Sequence, residues 1–281
     1  MTGKGAVWLA SYPKSGNTWM RLLLANLIVA QDRPVPINQI ELPSHRLMLR
    51  SVVEDMTLID TSLLTRSETE RLRPGWAECI IAQATERGFT KTHDHYRRND
   101  AGQGIFGAAP GMSAVYVVRD PRDVVISLAH HVGGSVDEAI ELLNRDMRHR
   151  QEPGCHTRRF DEAWSSWSEH VRGWLDQADM PVHCVRYEDL LADTSGAFAA
   201  VAHFLGLDAP AGELQRAVDF ASFDQVRRQE QANGFKERMP RSTAPFFRLG
   251  RAGGWREALS AQQQARIVEA NRQVMTRLGY L

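Results

Sequence analysis

The sequence predicts an α/β fold: a single domain built on a P-loop-like parallel sheet with helices on both faces. Two observations predict it. Short, almost wholly apolar runs recur, and each is followed by a polar loop and a longer run with helical spacing, the order that parallel βαβ units require. The 281-residue chain is long enough for one such core, and no internal repeat or low-complexity tract offers another architecture.

The elements follow in order. "AVWLAS" (6–11) reads as a buried strand, "SYPKSGNTW" (11–19) as the loop leaving it, and Asn17 to Ala30 as the following helix. Residues 32–66 mix prolines with scattered aliphatics and read as a substrate loop or a plain connection. "GFTKTH" (88–93) is a shorter strand. "SAVYVV" (113–118) is a third, followed by a helix over Asp123 to Val132. Trp164, Trp167 and Trp174 differ by three and seven and read as a core-packing helical stripe. "MPVHCVRY" (180–187) is a fourth strand, and Glu188 to Leu205 is helical with an interruption near Asp193. Residues 227–256 are basic and rich in Gly and Pro; they read as a solvated face or a closing lid. Ser260 to Leu278 is an amphipathic tail helix.

Lys plus Arg and Asp plus Glu are equal at 34 each, so no global field draws the protein to nucleic acid or an anionic membrane, and anion binding must come from local geometry. Cys79, Cys155 and Cys184 lie far apart with no CxxC pair, and read as buried or incidental thiols of a reducing compartment. The longest apolar run, "WMRLLLANLIVA", contains Arg21 and Asn26 and is too short to span a bilayer. With no basic n-region and cleavage site before it, the expectation is a soluble, cytoplasmic protein with no membrane partner.

The first loop carries the chemistry. A turn from a buried strand into a helix aims N–H groups and the positive dipole end outward, where phosphate binds. Gly16 permits close approach, Lys14 adds charge, and Ser15, Asn17 and Thr18 cap the helix or bind oxygens. The pattern G-x-x-x-x-G-K-[ST] is absent, which disfavours an ATP or GTP motor; an ordinary βα turn with a solvated lysine is the plain alternative. Arg119 stands at a strand end and faces whatever binds beyond it, or pairs with Asp123. Ser127 is a ligand or a packed helix serine, and Arg122 a solvated or salt-bridged arginine rather than a ligand. His93 and His95 have a spacing that suits a metal, but no third ligand accompanies them. A histidine with its usual pKa of about 6.5 suits a general base, which favours His93; His95 is a neighbour or a pocket residue.

"YPKSGNTW" closely resembles the 5′-phosphosulfate loop of the cytosolic-type sulfotransferases, which transfer a sulfuryl group from 3′-phosphoadenosine 5′-phosphosulfate (PAPS) to a hydroxyl or amine, leaving PAP. Asn17 stands where that family has threonine. The resemblance implies that Lys14, Ser15, Gly16, Asn17 and Thr18 surround the phosphosulfate and that Trp19 stacks on adenine. "FTKTHDHY" resembles the K-x-H segment, making Lys91 a sulfuryl contact and His93 the general base. "YVVRDPRDVVISLAHH" resembles the 3′-phosphate stretch, with Arg119 and Ser127 as contacts; Ser127 also restrains Lys14. "VRYEDL" and "ASFDQV" resemble the adenine-side segments, giving Tyr187 and Phe223, with Ala221 in place of a threonine. "FFRLGRAGGW" gives Arg248 and Gly250 to the 3′-phosphate, with Leu249 replacing a lysine and Arg251 as its substitute. The matches run from residue 8 to about 256. They imply a small-molecule acceptor, no nucleic-acid partner and no required metal. An ATP-dependent kinase and a nucleotide- or RNA-binding module are the alternatives. "REALSAQQQA" matches the family's dimerisation segment poorly, which leaves the oligomeric state open.

Overall fold

A computed structural model describes residues 4–29, 32–145 and 158–281. Ala30, the expected end of the first helix, and Cys155 lie outside them. In chain order the elements are β1 (Gly5–Ser11), α1 (Asn17–Ile28), α2 (Arg50–Thr57), a 3-10 turn (Thr61–Leu63), α3 (Arg66–Gln83), β2 (Arg87–Thr92), β3 (Met112–Val118) and α4 (Pro121–Val132). There follow α5 (Val136–Asn144), α6 (Trp167–Asp176), β4 (Val182–Arg186), α7 (Tyr187–Ala192), α8 (Thr194–Phe204), α9 (Ala211–Phe220), α10 (Phe223–Asn233), α11 (Trp255–Ala258) and α12 (Ala261–Arg277).

The four strands form one parallel sheet in the order β2-β1-β3-β4. Side chains alternate along a strand, so each apolar run feeds two cores. Ala6, Trp8 and Ala10 of β1 join Ala114, Tyr116 and Val118 of β3 in a core closed by α4, α6 and α12. Val7, Leu9, Val115 and Val117 point to the other face, under α1 and α8. Helices therefore cover both faces, as the continuous apolar strands require.

The strand order also locates the site. From β1 the chain moves to β2 on one side, then crosses to β3 on the other, so the loops leaving β1 and β3 diverge. A crevice opens beyond the carboxyl ends of such strands. Ser11 pairs with Val117, which sets the loop at residues 12–16 beside Arg119.

Four expectations are adjusted. The fourth strand begins at Val182, because Pro181 has no N–H for the ladder, and Tyr187 already opens α7. Residues 32–66 contain α2 and the 3-10 turn. Arg227–Asn233 belong to α10, so the irregular segment starts after it. Cys79 and Cys184 are both exposed rather than buried. The break near Asp193 is real: its side chain accepts from the Gly196 N–H at 2.9 Å and so starts α8 as a new helix. No helix among the described residues is long and apolar enough to cross a membrane.

Candidate active site

A cavity of about 290 Å³ fills the crevice, and every site residue expected from sequence lines it except Ser15, which lies buried beneath. The loop after β1 is shaped for a close approach. Lys14 and Gly16 both have left-handed backbone, at φ 67° and 109°. Gly16 caps α1 with no side-chain hydrogen bond, which leaves the first-turn N–H groups for an anion. Asn17 braces the loop from below, its amide donating to Leu9 O at 2.8 Å and to Ser11 Oγ at 3.3 Å. The Ser15 hydroxyl is buried without a partner.

At one end of the cavity stand Lys14, Lys91 and His93. The Lys14 ammonium lies 3.9 Å from the centroid of the Phe246 ring, and among the described residues no hydrogen bond ties it to Ser127. Burial, then the nearby Lys91 charge, pulls the Lys14 pKa down to about 8. Lys91 donates to Glu237 Oε2 at 3.2 Å. His93 follows β2 and is held on three sides. Its Nδ1 lies 2.9 Å from Ser11 O, its N–H donates to Glu162 Oε1 at 3.0 Å, and its carbonyl lies 3.1 Å from His170 Nε2. A carbonyl oxygen only accepts, so Nδ1 carries the proton and Nε2 keeps a lone pair. Burial, then Lys91, holds His93 well below the usual histidine range, so it is neutral at neutral pH.

His170 is a fully buried histidine that sequence reasoning missed. It accepts the Tyr116 hydroxyl at 2.8 Å and sits edge-on to Tyr12, which links the first loop to His93. His95 does not line the cavity; its Nδ1 turns to Ala163 O at 2.9 Å. Among the described residues no group of three or more His, Cys, Asp or Glu is placed to hold a metal ion.

The opposite end is arginine-rich. Arg119 donates to Arg251 O at 3.0 Å and lies over the Tyr187 ring, with its Nε buried and unpartnered. Its distance to Asp123 is 4.0 Å, beyond hydrogen bonding. Asp123 instead accepts the N–H groups of Gly253 at 2.7 Å and Trp255 at 3.0 Å. Burial and then the Arg119 and Arg251 charges lower the Arg248 pKa. Arg122 is structural: it pairs in two-pronged fashion with Asp120, the shorter contact 2.7 Å.

Aromatic walls join the two ends. A Cβ on Gly16 would stand 2.8 Å from the Tyr187 ring, and one on Gly250 would stand 2.4 Å from Phe223, so each ring seats on a glycine. Trp19 meets Tyr187 edge-on at 5.7 Å and donates Nε1 to Ala221 O at 3.0 Å, so Ala221 contributes its carbonyl. Trp164 corrects the tryptophan stripe: Trp167 and Trp174 are fully buried, whereas Trp164 precedes α6 and lines the cavity. No residue of 32–66 lines it.

Sequence reasoning also missed Glu237 and His131. Glu237 lay in a run read as a solvated face, and its partners Lys91, Arg21 and Thr18 are 146, 216 and 219 positions away; no local pattern marks it. His131, on the cavity wall, is held at about 4 by burial and by Lys14 and Lys91.

Comparison with known proteins gives the fold and the family. The rabbit (Oryctolagus cuniculus) sulfotransferase 1C2 is 27% identical over 171 residues, covering 57% of this chain and 54% of the rabbit protein. The guinea pig (Cavia porcellus) 3-alpha-hydroxysteroid sulfotransferase is 28% identical over 153 residues, 53% and 51%. The chain thus spans about half the length of the curated relatives it matches. Its fold resembles that of mouse sulfotransferase SULT7A1, solved with PAP, with a TM-score of 0.60 at 19% identity, over 98% of this chain and 86% of that one. It also resembles retinol dehydratase, solved with androsterone and PAP, with a TM-score of 0.58 at 21% identity, over 96% and 80%. The sulfotransferase domain family matches residues 4–279, and the chain belongs to that family.

Proposed function

We propose that this protein transfers the sulfuryl group of PAPS to a hydroxyl or amine of a small-molecule acceptor, by in-line displacement with His93 as general base. The observation that carries the reading is the two-ended cavity: lysines, a helix N-terminus and a neutral histidine at one end, arginines at the other, aromatic rings on glycines between. Those groups suit an adenine nucleotide with anions on both its 5′ and 3′ sides. The unpartnered Arg119 Nε is a donor that such a ligand would satisfy. The relatives' sulfotransferase activity and the PAP bound by the structural neighbours support it.

PAPS supplies an activated sulfuryl group with a phosphate leaving group. Lys14 and the N–H groups at the start of α1 neutralise charge on the leaving phosphate, and Lys91 does so on the sulfuryl oxygens. His93 takes the acceptor proton at Nε2, while Ser11 O on Nδ1 and Glu162 and His170 on its peptide hold the ring in place. Arg119, Ser127 and Arg248 anchor the 3′-phosphate. The segment 234–254 supplies Phe246, Phe247 and Arg248 to the cavity wall.

A thermal-shift comparison of PAP, ATP and a short RNA tests the class, because the reading demands selective stabilisation by PAP. Mass spectrometry of a metabolite mixture treated with enzyme and PAPS then finds the acceptor by its sulfuryl mass gain. Equal stabilisation by ATP, or by RNA, would overturn the assignment.

A further inference from the structure

Glu237 is out of keeping with its surroundings. An anion site should present cations and N–H groups, yet a carboxylate stands among them. One oxygen, Oε2, accepts from Lys91 Nζ at 3.2 Å and from Thr18 Oγ1 at 3.4 Å; the other accepts from Arg21 Nη1 at 2.8 Å. Thr18 and Lys91 are two of the groups assigned to the phosphosulfate. We propose that Glu237 is an internal stand-in for the sulfuryl group: it occupies the Lys91 end before the donor binds, yields to the sulfuryl group, and returns once that group has been transferred. The inference rests on the donor reading above.

The exchange requires only a side-chain rotation. Phe235 is buried, and the Lys236 N–H donates to Asn38 Oδ1 at 2.9 Å. Further along, the N–H groups of Phe246 and Phe247 donate to Glu230 at 2.7 and 2.9 Å. The backbone on both sides of Glu237 is thus held. Arg21 is not among the cavity-lining residues, so Glu237 has a cation to retreat toward while it releases Lys91.

Burial would raise the Glu237 pKa, but Lys91 and Arg21 outweigh it and hold it at about 2. The residue is therefore a full anion at neutral pH. A second anion on Lys91 would meet it at close range, where like charges repel. A nucleotide bearing the sulfuryl group must displace the carboxylate from Lys91; a nucleotide lacking it need not. Glu237 therefore weakens PAPS relative to PAP, and its return after transfer opposes rebinding of the sulfated product.

The test is calorimetric titration of the wild type and Glu237→Gln with PAPS in the absence of acceptor, with PAP, and with adenosine 3′-monophosphate. Gln keeps the size and removes the charge. Loss of one charged competitor is expected to tighten PAPS about tenfold and PAP by less than about threefold. Adenosine 3′-monophosphate, which does not reach Lys91, should bind unchanged, which also reports that the variant is folded. Glu237→Asp, too short to span Lys91 and Arg21 together, should shift in the same direction. PAPS binding that is unchanged or weaker in Glu237→Gln, or a common shift for all three nucleotides, would overturn the proposal. A wild type that binds neither PAPS nor PAP is a different pattern, which would bring down the donor reading and this inference with it.

Discussion

The two ends of the cavity meet the same problem, how to keep cations near one another before an anion arrives, and they solve it differently. At the Lys91 end the protein brings its own anion: Glu237 accepts from Lys91 and Arg21. At the Arg119 end Asp123 is turned to backbone N–H groups, and Arg119 is left with an unpartnered Nε. The arginine end is therefore poised, and the lysine end is occupied. Binding at the first gains unmet hydrogen bonds outright, whereas binding at the second exchanges one partner for another. On this account the 3′-phosphate supplies affinity, and the sulfuryl end is reserved for chemistry.

The largest expected effect lies at the occupied end. His93→Ala should lower kcat by roughly two to four orders of magnitude, the scale of general-base catalysis, with PAP affinity little changed. His95→Ala, whose ring turns away to Ala163 O, should retain most turnover. Steady-state kinetics on both variants checks this, and an inactive His95→Ala beside an active His93→Ala would mean that the base has been misassigned. Next in size is Lys14→Ala, which should cost roughly a hundredfold in kcat, as for one preorganised charge-stabilising donor; a variant keeping most of its rate would show that the first loop does not hold the leaving phosphate.

A smaller effect sharpens the contrast through pH. His93 must be unprotonated, and burial and Lys91 hold it well below 6.5, so the acid limb of kcat/KM should lie below the ordinary histidine range. Lys14 must be protonated, and its pKa near 8 places the alkaline limb there. Activity should fall about tenfold per pH unit outside either limb. Lys14→Arg, which stays charged throughout, should abolish the alkaline limb whatever its maximal rate; a limb that stays at pH 8 belongs to another group.

How far the sequence could be read differs in the same way between regions. The loop after β1, Arg119 beyond β3 and His93 beyond β2 were legible because each follows an apolar run within a few residues, and strand ends in a parallel sheet point to one edge. The opposing wall was legible only in part. Phe223, Arg248 and Gly250 stand in short patterns of their own, but Glu237, Glu162 and His170 reach the site through hydrogen bonds to partners tens to hundreds of residues away. Helices were harder to read where breakers or charges interrupt them. α3 carries Pro74 inside its length, and α10 turns only Val226 and Glu230 fully inward, so its sequence reads as a solvated charge run. Trp164 fitted a helical spacing with Trp167 and Trp174, yet the helix begins at Trp167 because Ser166 caps it.

The most direct test of a cavity with two anion-binding ends compares PAP with adenosine 5′-phosphosulfate, which lacks the 3′-phosphate, by calorimetry on the wild type and on Arg248→Ala. Charge-assisted hydrogen bonds are worth about 1.5 to 3 kcal/mol each, so PAP should bind at least about tenfold more tightly than adenosine 5′-phosphosulfate. Arg248→Ala should erase much of that preference while leaving adenosine 5′-phosphosulfate binding unchanged. Equal affinities in the wild type, or a loss in Arg248→Ala shared by both nucleotides, would contradict the account.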